Sequence, residues 1–396
     1  MTNFNKDILD PKIQEFINQN INSDVANLAL KGIPFDNNLK QDIITQIESK
    51  KKCEKKLPTW FNTPNIYFPP KLNIEQTSSE VTAQYKSNLI SGKSIIDITG
   101  GFGVDCYYFS KKVDTVIHCD LNANLSKIVE KNSSKLKVNN ITFHANDGLE
   151  VLKTIGEKVD WIYIDPSRRN DIKGKVFLLK DCLPNVPENL DMLFQYSKNI
   201  MIKTSPILDI TSGISELQNV KHIHCVAVNN EVKELLWILE KDFNNEIEIK
   251  TINITNKDTQ RFNFNLKNEL ETTPAYSQPL NYLYEPNTAI LKSGAFNSIA
   301  GIKNIYKLHK HSHLYTSNDL IEFPGRRFKI IKTIPYNKKS YKKEINLSQA
   351  NVTTRNFPET VAQIRNKFKI KDGGKNYLFF TTILENSKTI ISSVKI

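Results

Sequence analysis

Four apolar runs, each ending at an acid or a polar pair, recur along residues 94–165 and constrain the fold more than any other feature. Ile95-Ile96 leads into Asp97, Thr115 to Cys119 into Asp120, and Ile141 to Ala145 into Asn146-Asp147; Trp161 to Ile164 leads into Asp165-Pro166-Ser167-Arg168. Helical stretches lie between them. This alternation predicts parallel strands with crossover helices. The acids then line the carboxyl edge of one sheet, where open α/β sheets bind ligands. After the first run, Gly100-Gly101-Phe102-Gly103 allows a sharp turn and a close approach of backbone to ligand. Val104 to Lys112 can follow as a helix whose first amides face that ligand. The loop is not the dinucleotide fingerprint, because Cys106 stands where glycine or alanine is needed. It is not a P-loop either, because no Lys-Ser/Thr pair follows. Asp120, one βα unit downstream, stands where an acid meets the ribose of a bound nucleotide.

At 396 residues the chain suits two or three domains. Ile8, Ile13, Phe16 and Ile17, then Leu39, Ile43, Ile44 and Ile47, form apolar stripes that predict helices over 5–56. Leu57 to Trp60 and Pro64 to Pro70 read as an extended linker, and Glu75 to Leu89 as one helix. Further strands are expected at 199–203, 220–228, 234–240 and 247–254, and a helix at 289–299. The expected domains are a helical region 1–57, an α/β domain 58–245, an α+β connecting domain 246–318 and a basic domain 319–396. His309, His311 and His313 alternate as on a strand, but no acid or Cys completes a metal site, and no metal is expected. The five cysteines are scattered without C-x-x-C spacing, which favours neither a disulfide framework nor zinc. The N-terminus lacks an apolar core and no run approaches membrane-span length. A cytoplasmic protein without membrane contact is expected.

The net charge of +12 is confined to one end. Residues 323–396 hold sixteen Lys and Arg against four Asp and Glu, and the rest of the chain is balanced. An excess gathered in one region is the footprint of a polyanion-binding surface.

With these motifs the chain resembles the class I S-adenosylmethionine-dependent methyltransferases. Asp97 to Gly103 stand where that superfamily's D-x-x-x-G-x-G loop holds the methionine part of the cofactor. The resemblance is closer still to a bacterial methyltransferase family with a C-terminal THUMP-like domain. It is carried by IEQTSSEVTAQYK (74–86), DITGGFGVD (97–105), YIDPSRR (163–169), IKTSPILDI (202–210), NNEVKELL (229–236), YEPNTAILKSGAFN (284–297) and RNFPE (355–359). It implies a seven-stranded Rossmann-like sheet with an antiparallel last strand, a ferredoxin-like connecting domain and a small α+β THUMP-like domain. S-adenosyl-L-methionine is the implied cofactor. The residues that would bind it are Gln76, Thr77, Ser78, Asp97, Thr99, Gly101, Gly103, Asp120, Asn146, Asp147 and Asp165. Asp165, Pro166, Ser167 and Arg168 are the implied catalytic set, at the place of the (D/N)-P-P-(Y/F/W) motif of amine-directed members.

In that motif the Asp oxygen and the Pro carbonyl accept hydrogen bonds from a base amine and turn its lone pair toward the methyl. Arg168 replaces the aromatic residue and can stack on a base or grip a phosphate. A D-P-x-R sequence also occurs in RNA uracil-C5 methyltransferases, but the strand motif Ile202-Lys203-Thr204-Ser205-Pro206 lacks their catalytic Cys. Lys203, Ser205, Asn230, Glu231 and Lys233 are further candidates for the acceptor pocket. The favoured expectation is an RNA methyltransferase (EC 2.1.1.-) acting on a base amine or ring nitrogen of tRNA or rRNA. The alternative is a protein or small-molecule methyltransferase whose basic C-terminal domain binds an acidic partner.

Overall fold

A computed structural model describes residues 4–168 and 178–396, apart from the side chains of Lys31 and Arg168. The chain forms two compact units. One comprises residues up to Val220 with Leu236–Asn244, the other Lys221–Leu235 with Asn245–Ile396.

The first unit opens with helices α1 (Pro11–Gln19), α2 (Val25–Lys31), α3 (Lys40–Lys56) and α4 (Pro58–Asn62). Ile13 and Ile17 of α1, with Ile43, Ile47 and Cys53 of α3, supply the buried stripes that the periodicity demands. The start of the expected linker is helical, because Pro58–Asn62 form α4. The rest of the stretch read as an extended linker packs into the core: Ile66, Tyr67 and Phe68 are each at most 4% exposed. Burial of an extended backbone requires partners for its amides and carbonyls, and two side-chain amides provide them. Gln46 donates to the Phe68 carbonyl (2.6 Å) and accepts from its amide (2.8 Å). Asn132 does the same for Tyr67, at 2.8 and 2.9 Å.

The expected single helix at 75–89 is two helices, α5 (Lys71–Gln76) and α6 (Glu80–Ser87). Ser79, in extended conformation, caps α6 through the Thr82 amide, and Thr77-Ser78 become a bend between helices. The predicted strands follow as β1 (Ser94–Asp97), β2 (Thr115–Cys119), β3 (Ile141–His144) and β4 (Val159–Ile164). A two-residue ribbon pairs β5 (Ser167–Arg168) with β6 (Cys182–Leu183), and β7 spans Ser197–Thr204. Strands β1, β2, β3, β4 and β7 are parallel in the order β7-β4-β1-β2-β3. Between and after them run α7 (Val104–Phe109), α8 (Ala123–Lys135), α9 (Gly148–Ile155), α10 (Val186–Tyr196) and α11 (Ile210–Glu216).

The hairpin strands are β8 (Val220–Val228) and β9 (Glu231–Glu240), and then come β10 (Glu248–Ile254) and β11 (Thr259–Asn265). The sheet has nine strands, not seven, in the order β11-β10-β8-β9-β7-β4-β1-β2-β3. Strand β10, expected to begin the next domain, runs parallel to β8 and antiparallel to β11. Ile249, Thr251, Ile252 and Asn253 of β10 are all buried, so its backbone needs a strand on both sides.

The second unit also holds α12 (Leu266–Glu271), β12 (Tyr282–Pro286), α13 (Thr288–Ser293), β13 (Tyr306–Lys307), β14 (Tyr315–Ser317) and β15 (Gly325–Pro335). Helix α14 (Lys338–Glu344), β16 (Asn351–Arg355), α15 (Val361–Phe368), β17 (Asn376–Thr382) and β18 (Lys388–Lys395) complete it. Its seven-stranded sheet has the order β13-β14-β12-β15-β18-β17-β16. Helix α13 is shorter than expected because Gly294 ends it at φ +77°. His309, His311 and His313 lie in turns, not on a strand. The first bonds Asn356 and Asn386, and the third stacks on Phe296 at 3.6 Å. Among the described residues, no helix is long and apolar enough to cross a membrane.

Candidate active site

The glycine-rich turn forms because bulkier residues would collide with its walls. A Cβ on Gly100 would lie 2.3 Å from the His118 ring. Gly103 caps α7 in the left-handed region at φ 71°, and a Cβ there would meet Val129 at 2.4 Å. His118 accordingly sits under the loop, 3.2 Å from the Gly101 carbonyl, and its burial lowers its pKa.

The turn is tied to the acids of the neighbouring strands. The Thr99 amide and hydroxyl donate to Asp97 at 2.9 and 3.2 Å, and the Asp165 amide donates to the same hydroxyl at 2.7 Å. The Gly101 amide donates to Asp120 at 2.9 Å, and the Asn122 amide donates to the other oxygen of that carboxylate at 2.7 Å. Asp147 caps α9 by accepting from the Leu149 amide.

These groups converge on one cleft of about 1040 Å³. Of the residues singled out in the sequence, Gln76, Thr77, Ser78, Asp97, Thr99, Gly101, Asp120, Asp147, Asp165, Pro166 and Ser167 line it, as do Lys203 and Ser205. Gly103 shapes the turn without lining the cleft. Asn146 turns its side chain back onto the Asp147 amide (2.8 Å) and borders a separate hollow of about 310 Å³. The side chain of Arg168 and all of Arg169 lie outside the described residues. Asn230 is committed within its own unit, donating its amide to Asn253 and accepting from the Thr288 amide, while Glu231 pairs with Lys233.

Two features go beyond the site residues singled out in the sequence, although Lys86 and Asp105 each end one of the quoted motifs. Lys86 is fully buried and pairs with Asp105 at 3.1 Å. Ser78 and Tyr163 both donate to Asp105, at 2.8 and 3.0 Å, and Lys86 donates to Ser78 at 3.0 Å. Asn185, the N-cap of α10, and Asn189 in its first turns also line the cleft; their i, i+4 spacing was a usable signal.

Burial, with the nearby carboxylates of Asp105 and Asp165, pushes the Asp97 carboxyl up to about 7. A cationic ligand group beside it favours the ionised form and binds it preferentially. Affinity for a ligand carrying an amino group there is therefore expected to fall as pH drops from 8 to 6. Asp97→Asn should flatten that dependence, as read by calorimetry with S-adenosylhomocysteine.

A family described as a ferredoxin-like domain matches residues 282–324, and a THUMP domain-like family matches 325–393. A crystal structure of a candidate methyltransferase from Porphyromonas gingivalis W83 is similar over 100% of both chains, at 29% identity and a TM-score of 0.89. M. capricolum TrmK in complex with S-adenosylhomocysteine overlaps 41% of this chain and 68% of its own, at 19% identity and a TM-score of 0.32. A Streptococcus thermophilus rRNA methylase overlaps 42% of this chain and 98% of its own, at 14% identity and a TM-score of 0.30. The last two scores are too low to carry weight. No curated protein matches the chain. The chain is thus similar over its full length to the Porphyromonas methyltransferase structure, and its C-terminal part carries a ferredoxin-like and a THUMP-like domain.

Proposed function

We propose that this chain methylates RNA, using S-adenosylmethionine held in the acid-lined cleft. The observation that carries the reading is the convergence of Asp97, Asp120, Asp147 and Asp165 on one cavity behind the glycine turn. The cofactor supplies a methyl group already activated on a sulfonium, so the protein's task is binding and alignment. The residues fit such a ligand. Asp120 faces the cleft with its carboxylate fixed by two backbone amides, ready to accept from ribose hydroxyls. Asp97 offers a buried carboxyl to the cationic amino end, and Thr99 to Gly101 give the close backbone approach. Asp147 stands at the adenine end and Asp165-Pro166-Ser167 at the acceptor end.

The RNA-binding role is assigned to the basic C-terminal domain, and the structure narrows which charges are available. Arg326 and Arg355 both pair with the buried carboxylate of Glu285. Arg327 pairs with Glu322, Lys332 with Glu344, Arg365 with Asp372 and Lys367 with Glu359. Lys338, Lys339, Lys342 and Lys343 on α14 are exposed and have no carboxylate partner among the described residues. Removing residues 323–396 is not a clean test, because β15 pairs with β12 along Tyr282 to Pro286.

Charge reversal of the four α14 lysines to Glu tests the assignment in the intact chain. RNA affinity is expected to weaken. Its salt dependence should fall by roughly 0.7 log units per log salt for each single-strand phosphate that these lysines no longer neutralise. Cofactor affinity should stay unchanged. A full-strength salt slope in that variant would remove the RNA role of α14.

A further inference from the structure

The acceptor end of the cleft holds an ion pair. Lys203, from the end of β7, pairs with the carboxylate of Asp165, from the end of β4. Both side chains line the cleft with Pro166, Ser167 and Ser205. The Lys203 side chain is only 14% exposed, so its charge is weakly screened by water and acts strongly on whatever enters beside it. Leu183, at 53% exposure, lines the cleft nearby, and Ile207, two residues beyond Ser205, is 73% exposed. Apolar side chains of this kind cover the faces of a base drawn into a pocket.

Hydrogen bonding alone does not choose the base. A carboxylate beside an ammonium suits an N–H next to a carbonyl, and equally the amine and ring nitrogen of adenine or cytosine. Charge development chooses. A neutral amine or ring nitrogen becomes positive as it takes a methyl cation, and Lys203 opposes that. A ring N–H beside a carbonyl instead loses its proton, and the negative charge spreads onto the oxygen, where an ammonium stabilises it.

Resting on the proposed RNA methylation, we propose that the acceptor is a lactam nitrogen, the ring N–H adjoining a carbonyl in guanine or uracil. Asp165 takes the proton from nitrogen and Lys203 donates a hydrogen bond to the neighbouring oxygen. The nitrogen lone pair forms the new N–C bond as the methyl C–S bond breaks, its electron pair remaining on sulfur. The proton on Asp165 then passes to water. The Thr99 hydroxyl, accepting from the Asp165 amide at 2.7 Å, fixes the base in place.

The test uses the full chain, methyl-labelled S-adenosylmethionine and total RNA from cells lacking the gene for this chain, digested afterwards to nucleosides. Label is expected in 1-methylguanosine or 3-methyluridine, and its identity separates the two bases. Lys203→Met should lose about a hundredfold or more in transfer, Lys203→Arg should recover much of it, and both should keep wild-type affinity for S-adenosylhomocysteine. Label in an amine-methylated nucleoside, 1-methyladenosine or 7-methylguanosine overturns the lactam assignment and leaves RNA methylation standing. Label confined to protein, or none, overturns the RNA reading and this inference with it. A binding measurement stands apart from turnover: equilibrium dialysis of the four 5′-mononucleotides against protein loaded with S-adenosylhomocysteine. Guanosine and uridine monophosphates should bind more tightly than the other two, and Lys203→Met should erase the preference; equal binding or the reverse order counts against the proposal.

Discussion

Asp165→Ala is expected to lower methyl transfer by about two to four orders of magnitude, the range for losing a positioned acid–base group. Affinity for S-adenosylhomocysteine should remain near wild type. The carboxylate pairs with Lys203 in the cleft, at the proposed acceptor end, and the backbone of Asp165 stays fixed through Thr99. Asp120→Ala should show the opposite pattern, with cofactor affinity lost first, because its carboxylate orders the Gly101 and Asn122 amides as well as facing the ligand. Single-turnover rates and calorimetric titrations of the two variants separate these roles. Turnover by Asp165→Ala close to that of the wild type would move the reaction away from this end of the cleft.

The largest stability effect is expected at Lys86. Its ammonium has no exposure, and it is held by Asp105 and Ser78. Lys86→Met leaves the Asp105 carboxylate buried without this cation, with the Ser78 and Tyr163 hydroxyls still donating to it. Breaking such a pair from one side costs about 3–5 kcal/mol, whereas replacing both members by apolar residues is often close to neutral. Urea denaturation should therefore show a large loss for Lys86→Met and a substantial recovery when Asp105→Leu is added. A double variant as unstable as the sum of two damaging singles would show that the charges themselves are needed to hold α6 against α7.

How much was legible in the sequence depended on the range over which a residue's surroundings are set. Asp97, Asp120, Asp147 and Asp165 could be placed at the sheet edge because a strand's end fixes where its next side chain lies. The glycine turn was legible for the same local reason. Lys86 and Asp105 sit on different helices and meet only after α6 packs on α7; nothing periodic announces the pair. The burial of Pro64 to Pro70 was not legible, because the groups that allow it stand 22 and 65 residues away. Strand β10 was legible as a strand, but alternation does not name the sheet it joins, and β11 lies in a polar stretch without a clear strand signal. The sixteen basic residues were countable, but their pairing with Glu285, Glu322, Glu344, Glu359 and Asp372 was not.

The two amide side chains that clasp Tyr67 and Phe68 tie the N-terminal helices to the sheet domain. Gln46 belongs to the N-terminal helices and Asn132 to α8 of the sheet domain, and each serves the same short stretch of backbone from its own side. Ile43, Ile47, Trp60, Phe68, Phe102 and Val129 share one apolar core. The helices and the sheet domain therefore share one folding unit through this stretch: a substitution at Gln46 would leave the buried amide and carbonyl of Phe68 without their partner, so unfolding of the helices and loosening of the sheet's flank should go together.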